Sequence, residues 1–180
     1  MQNIKGKQIA FCGLFIALFA ISSKIQIPTA LVPITLQTAV LLLCVTTLSG
    51  FWSTFSVGVY IFCGLLGLPV FANGGGFSYF LNPTFGYLLG FLLVTLLRGF
   101  FFKNLKNTYK NYLIFYLIAI FTVHFLGTFY CYFIYNLHLG EKISLINTFV
   151  FSSLIFIPTD LIWCITCPII SLRINKAINL

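Results

Sequence analysis

Long apolar runs take up most of this 180-residue chain and decide what it can fold into. Hydrophobic residues make up 60% of the sequence, charged residues only 7%, and the mean hydropathy is +1.06. A soluble domain of this size has too little interior to bury so much apolar surface. The lipid bilayer must therefore solvate most of the chain.

Six apolar runs approach or exceed the length that crosses about 30 Å of hydrocarbon as a helix. The sixth is long and contains Pro158, which has no backbone N–H to donate. We therefore expect an all-α integral membrane protein with six transmembrane helices in one domain, 1–180, whose last segment enters irregularly before its helix begins near Asp160. The first run is expected to stay as a helix, because no small-residue cleavage site follows it. The runs are 9–27, 36–50, 51–70, 83–102, 112–137 and 145–172.

Basic residues dominate the charge, with ten Lys and Arg against two Asp and Glu. They lie at the ends of the runs rather than along one face between aromatic residues, so no nucleic-acid partner is expected. Of the ten basic residues, the six predicted spans place only Lys24 and Lys142 on one side of the membrane. Because cytoplasmic loops are rich in Lys and Arg, we expect both termini inside and the protein in the cytoplasmic membrane; for Arg98, a ligand role competes with this topological one. The other side holds Lys5, Lys7, Arg98, Lys103, Lys106, Lys110, Arg173 and Lys176.

Asp160 is one of the two carboxylates, and it falls inside the sixth apolar run. A charge in hydrocarbon costs several kcal/mol, so such residues usually serve a function. The alternative is a carboxylate satisfied by its helix neighbours near the membrane surface. Polar residues and helix breakers gather on the same, outer side, which predicts a small-molecule site open to the outside. They occupy 26–29, 33–37, 73–76 and 82–84.

Catalytic and metal-binding patterns are weak. No nucleophile has a base at a plausible spacing, so an enzyme is not expected. Cys164 and Cys167 have the spacing of a redox or metal pair, but they lie at membrane depth without a polar shell. Small buried side chains are the favoured interpretation of both cysteines, and no metal or cofactor is expected.

Small residues recur three or four positions apart in the first run, at Ala10, Gly13 and Ala17. Lipid offers no hydrophobic drive for helix association, so small side chains favour association by letting helix backbones approach closely. The approaching helix could belong to a partner protein or to the same bundle.

Four segments together resemble a known family. They read Pro-Ile-Thr-Leu-Gln at 33–37, Gly-Leu-Pro-Val-Phe at 67–71, Asn-Pro-Thr-Phe-Gly at 82–86 and Phe-Ile-Pro-Thr-Asp at 156–160. The chain resembles the BioY family over about 10–172. This family comprises the biotin-specific substrate-binding (S) components of energy-coupling factor (ECF) transporters.

The resemblance implies a six-helix S-component fold that holds biotin near the outer surface. Asp160 falls where the family has a ligand-contacting carboxylate, which can accept hydrogen bonds from the N–H groups of the ureido ring. Aromatic walls would suit the valeryl chain. Besides Asp160, the resemblance implies substrate-binding roles for Pro33, Thr35, Gln37, Phe71, Asn73, Gly74, Gly75, Tyr79, Pro83, Thr84, Gly86 and Tyr87.

At one position the sequence departs from the resemblance. The family typically has a lysine three residues after the aspartate, one helical turn on, and here that residue is Trp163. Tryptophan cannot neutralise Asp160, and Lys24 or Lys142 is one candidate to act in place of the lysine from the outer side. We include Trp163 in the expected site, and the departure leaves another vitamin or a biotin precursor as an alternative ligand.

The resemblance also implies partners. Uptake would need a transmembrane coupling protein and two cytosolic ATPase subunits, with Ala10, Gly13 and Ala17 facing the coupling protein. A different class of protein, a self-sufficient secondary transporter that couples uptake to protons through Asp160, is the second alternative.

Overall fold

A computed structural model describes residues 2–104 and 106–178. Within these residues the chain forms seven α-helices and one antiparallel pair of two-residue strands, β1 (Gln26–Ile27) and β2 (Ile34–Thr35). A π-helical turn over Ile134–His138 extends the fifth helix, and 3-10 turns cover Phe77–Leu81 and Leu154–Phe156. The helices are α1 (Gln2–Lys24), α2 (Gln37–Thr47), α3 (Gly50–Leu65), α4 (Phe85–Phe100), α5 (Tyr109–Phe133), α6 (Leu145–Ser152) and α7 (Ile157–Ile178).

The chain runs six times along the bundle, with α6 and α7 sharing the sixth pass. Among the residues that the structure describes, three stretches are long and apolar enough to cross a membrane, Lys5–Lys24, Tyr109–His138 and Leu145–Ile178. The helices α2, α3 and α4 have 11, 16 and 16 residues. They are therefore only about 17 to 24 Å long at 1.5 Å per residue. The predicted run 51–70 continues past the end of α3 because its last residues turn into a loop.

The short helix α2 lies in the centre of the bundle. Its side chains are buried all round, and Leu41, Leu42 and Val45 are at most 1% exposed. A helix that is apolar on every face belongs in a protein core rather than against solvent. Accordingly α2 contacts α1, α3, α4, α5 and α7.

One end of the bundle collects the basic residues, and we call it the basic end. The amine of Lys7 in α1 donates to the carbonyl of Ile178 in α7 at 2.9 Å. The backbone N–H of Ser49, between α2 and α3, donates to Oε1 of Gln8 at 3.1 Å. The first and last helices therefore start and finish at the same end, as the charge pattern predicted. The opposite end, the loop end, carries 25–36, 66–84 and 139–144.

The sixth pass is broken as predicted, but at a different place. Ser153 leaves the helical conformation with φ −136° and ψ −50°, and a 3-10 turn follows it. Helix α7 then begins at Ile157, earlier than the predicted start near Asp160. Pro158 therefore lies in the first turn of α7, where a missing N–H leaves no helical hydrogen bond unmade. The break itself lies at residues 153–156.

A cluster of buried hydroxyl groups fixes the basic half of the bundle. Thr46 Oγ1 lies 2.9 Å from the hydroxyl of Tyr116 and 2.8 Å from that of Ser171, and the latter two are 2.8 Å apart. Asn175 donates to the hydroxyl of Tyr112 at 2.7 Å. Because buried hydrogen bonds of this kind reinforce one another, they join α2, α5 and α7 firmly.

Helices α3 and α4 cross at two glycines, and this contact yields a stability prediction. A Cβ on Gly50 would lie 2.2 Å from the Cα of Gly99, so Gly50→Ala must push the two backbones apart. We expect it to lower the free energy of unfolding by about 1–3 kcal/mol, as overpacking does. Thermal unfolding in detergent measures the effect. Gly58→Ala is the matched control, because a Cβ at Gly58 in the same helix would meet nothing within 4 Å; equal melting temperatures for the two variants would contradict the crossing.

Candidate functional site

A cavity lies at the loop end, between α2, α4, α5 and the loops that precede α2 and α4. Its empty space, including the open mouth, is about 500 Å³. The structure brings many of the predicted residues together in its wall, namely Pro33, Thr35, Gln37, Phe71, Tyr79, Thr84 and Tyr87. The sequence interpretation had not selected the eight other wall residues, Val32, Thr38, Ala72, Leu88, Phe91, Val123, His124 and Phe156.

The loop that carries Phe71 is tied to the helices below it by hydrogen bonds to its carbonyl groups. The carbonyl of Val70 accepts from Ser23 at 2.7 Å and from the Tyr60 hydroxyl at 3.1 Å. The carbonyl of Phe71 accepts from the amine of Lys24 at 2.6 Å. These bonds hold the buried Phe71 ring, which is 1% exposed, in the cavity wall.

Gln37, the first residue of α2, belongs to the same network. Its Nε2 donates to the Tyr60 hydroxyl at 2.7 Å, and its Oε1 lies 3.3 Å from the hydroxyl of Thr35. The amide is therefore oriented by its neighbours, and its buried position at the helix start points it into the cavity wall.

The predicted Asn73, Gly74 and Gly75 form a tight turn beside the cavity and are not part of its wall. Phe71 and Gly74 exchange backbone hydrogen bonds of 2.9 and 3.2 Å, and the N–H of Gly76 donates to the carbonyl of Gly64 at 2.8 Å. Gly74 has φ +112°, a conformation that side chains other than glycine rarely adopt. The N–H groups of Gly74 and Gly76 are thus used within the chain, and a role of this turn in capping a ligand stays a prediction.

The segment before α4 supplies two hydroxyl groups. Thr84 Oγ1 donates to Asn82 Oδ1 at 2.7 Å, and so it accepts from the Tyr79 hydroxyl, also at 2.7 Å. Burial raises the pKa of Tyr79, although the hydrogen bond to Thr84 opposes the shift. Tyr79 therefore stays protonated at neutral pH and keeps donating. The neighbouring Pro83 lies outside the wall, and Gly86 is packed against Tyr130.

Tyr87 enters the cavity wall because a glycine faces it. A Cβ on Gly127 in α5 would lie 2.5 Å from the Tyr87 ring, so only glycine leaves room for the ring between α4 and α5. The Tyr87 hydroxyl donates to the carbonyl of Ser152 at the end of α6. That bond satisfies a carbonyl next to the break in the sixth pass.

Asp160 lies behind the cavity wall, paired with His124. It is 3% exposed and sits in the first turn of α7, where the helix dipole favours a negative charge. Its Oδ2 accepts a hydrogen bond of 2.6 Å from Nε2 of His124, whose ring lines the cavity. The expectation that Lys24 or Lys142 supplies the partner is wrong, because the Lys24 amine is bound to the Phe71 carbonyl and Lys142 lies exposed in a loop.

Trp163 takes no part in this cavity. It is partly buried in a separate groove with Ile25, Ile34 and Thr159.

His124 is the residue that sequence reasoning missed. In the sequence it has no partner at metal-ligand spacing. A usable signal was present, since an ionisable residue within a membrane span tends to pair with another one. His124 lies inside the fifth apolar run, and the sequence offers only two carboxylates as partners.

Comparison with known proteins identifies the family. The BioY family model matches residues 1–180. The chain belongs to the BioY family.

Three BioY relatives match along most of their length. The chain is 34% identical to a probable biotin transporter BioY of Lysinibacillus sphaericus, covering 93% of this chain and 86% of that protein. It is 30% identical to the biotin transporter BioY of Thermotoga maritima (94% and 96% covered) and 34% identical to that of Lactococcus lactis (93% and 88% covered).

A solved structure matches the fold. The crystal structure of the S-component for biotin from an ECF-type ABC transporter aligns with a TM-score of 0.85 and 31% identity, covering 98% of this chain and 94% of that one. The expected six-helix S-component fold is thereby confirmed, and the BioY chain is a membrane transporter component.

The bond between Tyr87 and Ser152 yields a second stability prediction. Tyr87→Phe removes the donor and leaves the buried Ser152 carbonyl without it, which should lower the free energy of unfolding by about 1–3 kcal/mol. Tyr109→Phe is the matched control, because the Tyr109 hydroxyl makes only an exposed contact of 3.5 Å to Ile165. Unfolding in detergent compares the two variants, and a Tyr87 variant as stable as the control would show that the bond contributes nothing.

Proposed function

We propose that this chain binds biotin as the S component of an ECF transporter in the cytoplasmic membrane. The observation that carries the proposal is the composition of the cavity in a BioY-family chain. Aromatic rings make up much of its wall, and a few oriented amide and hydroxyl groups interrupt them. Such a wall suits a ligand with a compact polar ring and an apolar chain, and biotin has both.

In this proposal the apolar and the polar groups of the wall contact different parts of the ligand. Phe71, Tyr79 and Tyr87 offer ring surface to the bicyclic ring and the valeryl chain. The Gln37 amide and the Thr84 hydroxyl, together with the pair of Asp160 and His124, offer hydrogen bonds to the ureido group. We keep Asn73, Gly74 and Gly75 as a candidate cap and Trp163 as an outer neighbour of the site.

The loop end faces the outside in this proposal. Cytoplasmic loops of membrane proteins are rich in Lys and Arg, and those residues collect at the basic end here. The site then takes up ligand from outside, and both chain termini lie in the cytoplasm.

ATP hydrolysis takes place in partner subunits in this proposal. The partners are a transmembrane coupling protein and two cytosolic ATPases, as the ECF class implies. The small residues Ala10, Gly13 and Ala17 of α1 are all exposed on the outside of the bundle, and a Cβ on Gly13 would meet nothing within 4 Å. This stripe allows a helix of the coupling protein to approach closely.

Equilibrium binding of labelled biotin to the purified chain in detergent tests the proposal. We expect tight binding that unlabelled biotin displaces and that excess thiamine or riboflavin does not. A folded sample that binds thiamine or riboflavin instead would contradict the proposed ligand. Uptake by the chain alone, abolished by a protonophore, would contradict the proposed class and favour a proton-coupled transporter.

Asp160→Asn is expected to weaken biotin binding at least tenfold, which corresponds to about 1.4 kcal/mol. The substitution keeps the shape of the side chain but removes the charge that strengthens its hydrogen bonds. Glu141→Gln is the matched control, because Glu141 is the other carboxylate and lies exposed in a loop. Equal affinity of the Asp160 variant and the control in the labelled-biotin assay would mean that the carboxylate is structural.

Gly13→Leu is expected to abolish co-purification with the coupling protein and to leave biotin binding intact, because a leucine there fills the stripe without touching the rest of the chain. Gly58→Leu makes the same change at another open glycine, on α3, and should co-purify normally. Normal co-purification of the Gly13 variant would place the partner surface elsewhere.

A further inference from the structure

The pair of Asp160 and His124 is almost completely enclosed. The Asp160 side chain is 5% exposed and the His124 side chain 13%, and the two atoms that meet are 2.6 Å apart. A buried carboxylate that loses its partner is strongly destabilising. Whatever Asp160 does in this protein therefore depends on His124.

The imidazole ring of His124 is held on its other side as well. Its Nδ1 lies 3.1 Å from the hydroxyl of Ser153, which in turn contacts the hydroxyl of Thr128. The rings of Tyr87 and Phe156 pack against the imidazole, with centroids 6.0 and 5.6 Å away. With the N–H of Nε2 donated to Asp160, the hydroxyl of Ser153 donates to Nδ1. The ring is thus fixed in position, and so is the carboxylate that it holds.

The two carboxylate oxygens of Asp160 differ in their hydrogen bonding. Within the described chain Oδ1 of Asp160 accepts no hydrogen bond, whereas Oδ2 is taken by His124. The fully buried polar side-chain atoms without a partner in the same residues are Thr47 Oγ1 and Asn175 Oδ1. Oδ1 of Asp160 is not one of them, so it retains some accessible surface.

We propose that His124 is a positioning residue that occupies one oxygen of the Asp160 carboxylate and presents the other to an N–H group of the ligand. The inference rests on the proposed function, and it identifies the part of the ligand that Asp160 and His124 recognise. A cyclic urea such as that of biotin supplies such a donor. A histidine on α5 and the aspartate on α7 then form one recognition unit across two helices, although only the histidine lines the cavity.

A double-substitution cycle on the full chain tests the coupling. We expect His124→Phe and Asp160→Asn each to weaken biotin binding at least tenfold. We expect Asp160→Asn to cost less than about a further twofold when His124 is already Phe, because residues that act as one unit are not additive. His124→Gln should bind within about threefold of the wild type, because the glutamine amide can still donate to Asp160. His138→Phe is the matched control, an exposed histidine at the loop end, and should bind as the wild type does.

A ligand analogue separates positioning from a purely structural role. Biotin methylated on its ureido nitrogens lacks the N–H donors, so the wild type should discriminate strongly against it. In the His124→Phe protein that discrimination should collapse to within a few fold, because the carboxylate is no longer presented. A structural role alone would weaken the binding of biotin and of the analogue by the same factor.

The outcomes distinguish this inference from the proposed function. Wild-type protein that fails to bind biotin overturns the proposed ligand. Wild-type protein that binds biotin, together with additive losses in the cycle or unchanged discrimination in the His124→Phe protein, overturns the inference alone. If His124→Phe does not fold, His124→Gln decides, since its failure to bind biotin while folded also contradicts the positioning role.

Discussion

A backbone carbonyl that leaves a helix inside a membrane protein has no water to bond with, and this constraint organises the loop end. The loop 66–84 and the break in the sixth pass receive donors from side chains of helices. Tyr60, Lys24, Tyr87 and Tyr130 supply these donors. The carbonyls that they satisfy belong to Val70, Phe71, Ser152 and Phe80. The cavity can exist because breaks in the helices are permitted where such donors reach them.

The two halves of the bundle use buried polar groups differently. At the basic end the hydroxyl groups of Thr46, Tyr116 and Ser171 bond mainly to one another, and they tie helices together around the central α2. At the loop end the polar groups instead hold loops and line a cavity. His124 and Asp160 belong to the second kind, because their pairing joins α5 to the first turn of α7 beside the break. The carboxylate can be buried there because its partner is itself held by Ser153.

The fold and much of the cavity wall could be predicted from the sequence. Features that depend on contacts between distant residues could not be predicted. Hydropathy and charge placement were sufficient for the six passes, and family-like motifs were sufficient for Gln37, Thr84 and Tyr87. The break in the sixth pass was placed at Pro158 because a proline is visible in a sequence, whereas the conformation of Ser153 is not. His124 was overlooked because its partner lies 36 positions away on another helix. Spacing rules detect only partners on the same helix. The sequence analysis therefore considered Trp163, one helical turn after Asp160, as a member of the site.

Gly127 shapes the cavity without belonging to its wall. The Tyr87 ring occupies the space that any side chain at position 127 would need. The residue at position 127, behind Tyr87, therefore helps to set the width of the site. Two family members could share every wall residue and still select ligands of different size if they differed at this one position. A comparison of specificity restricted to wall residues would miss the residue that determines how far the tyrosine projects.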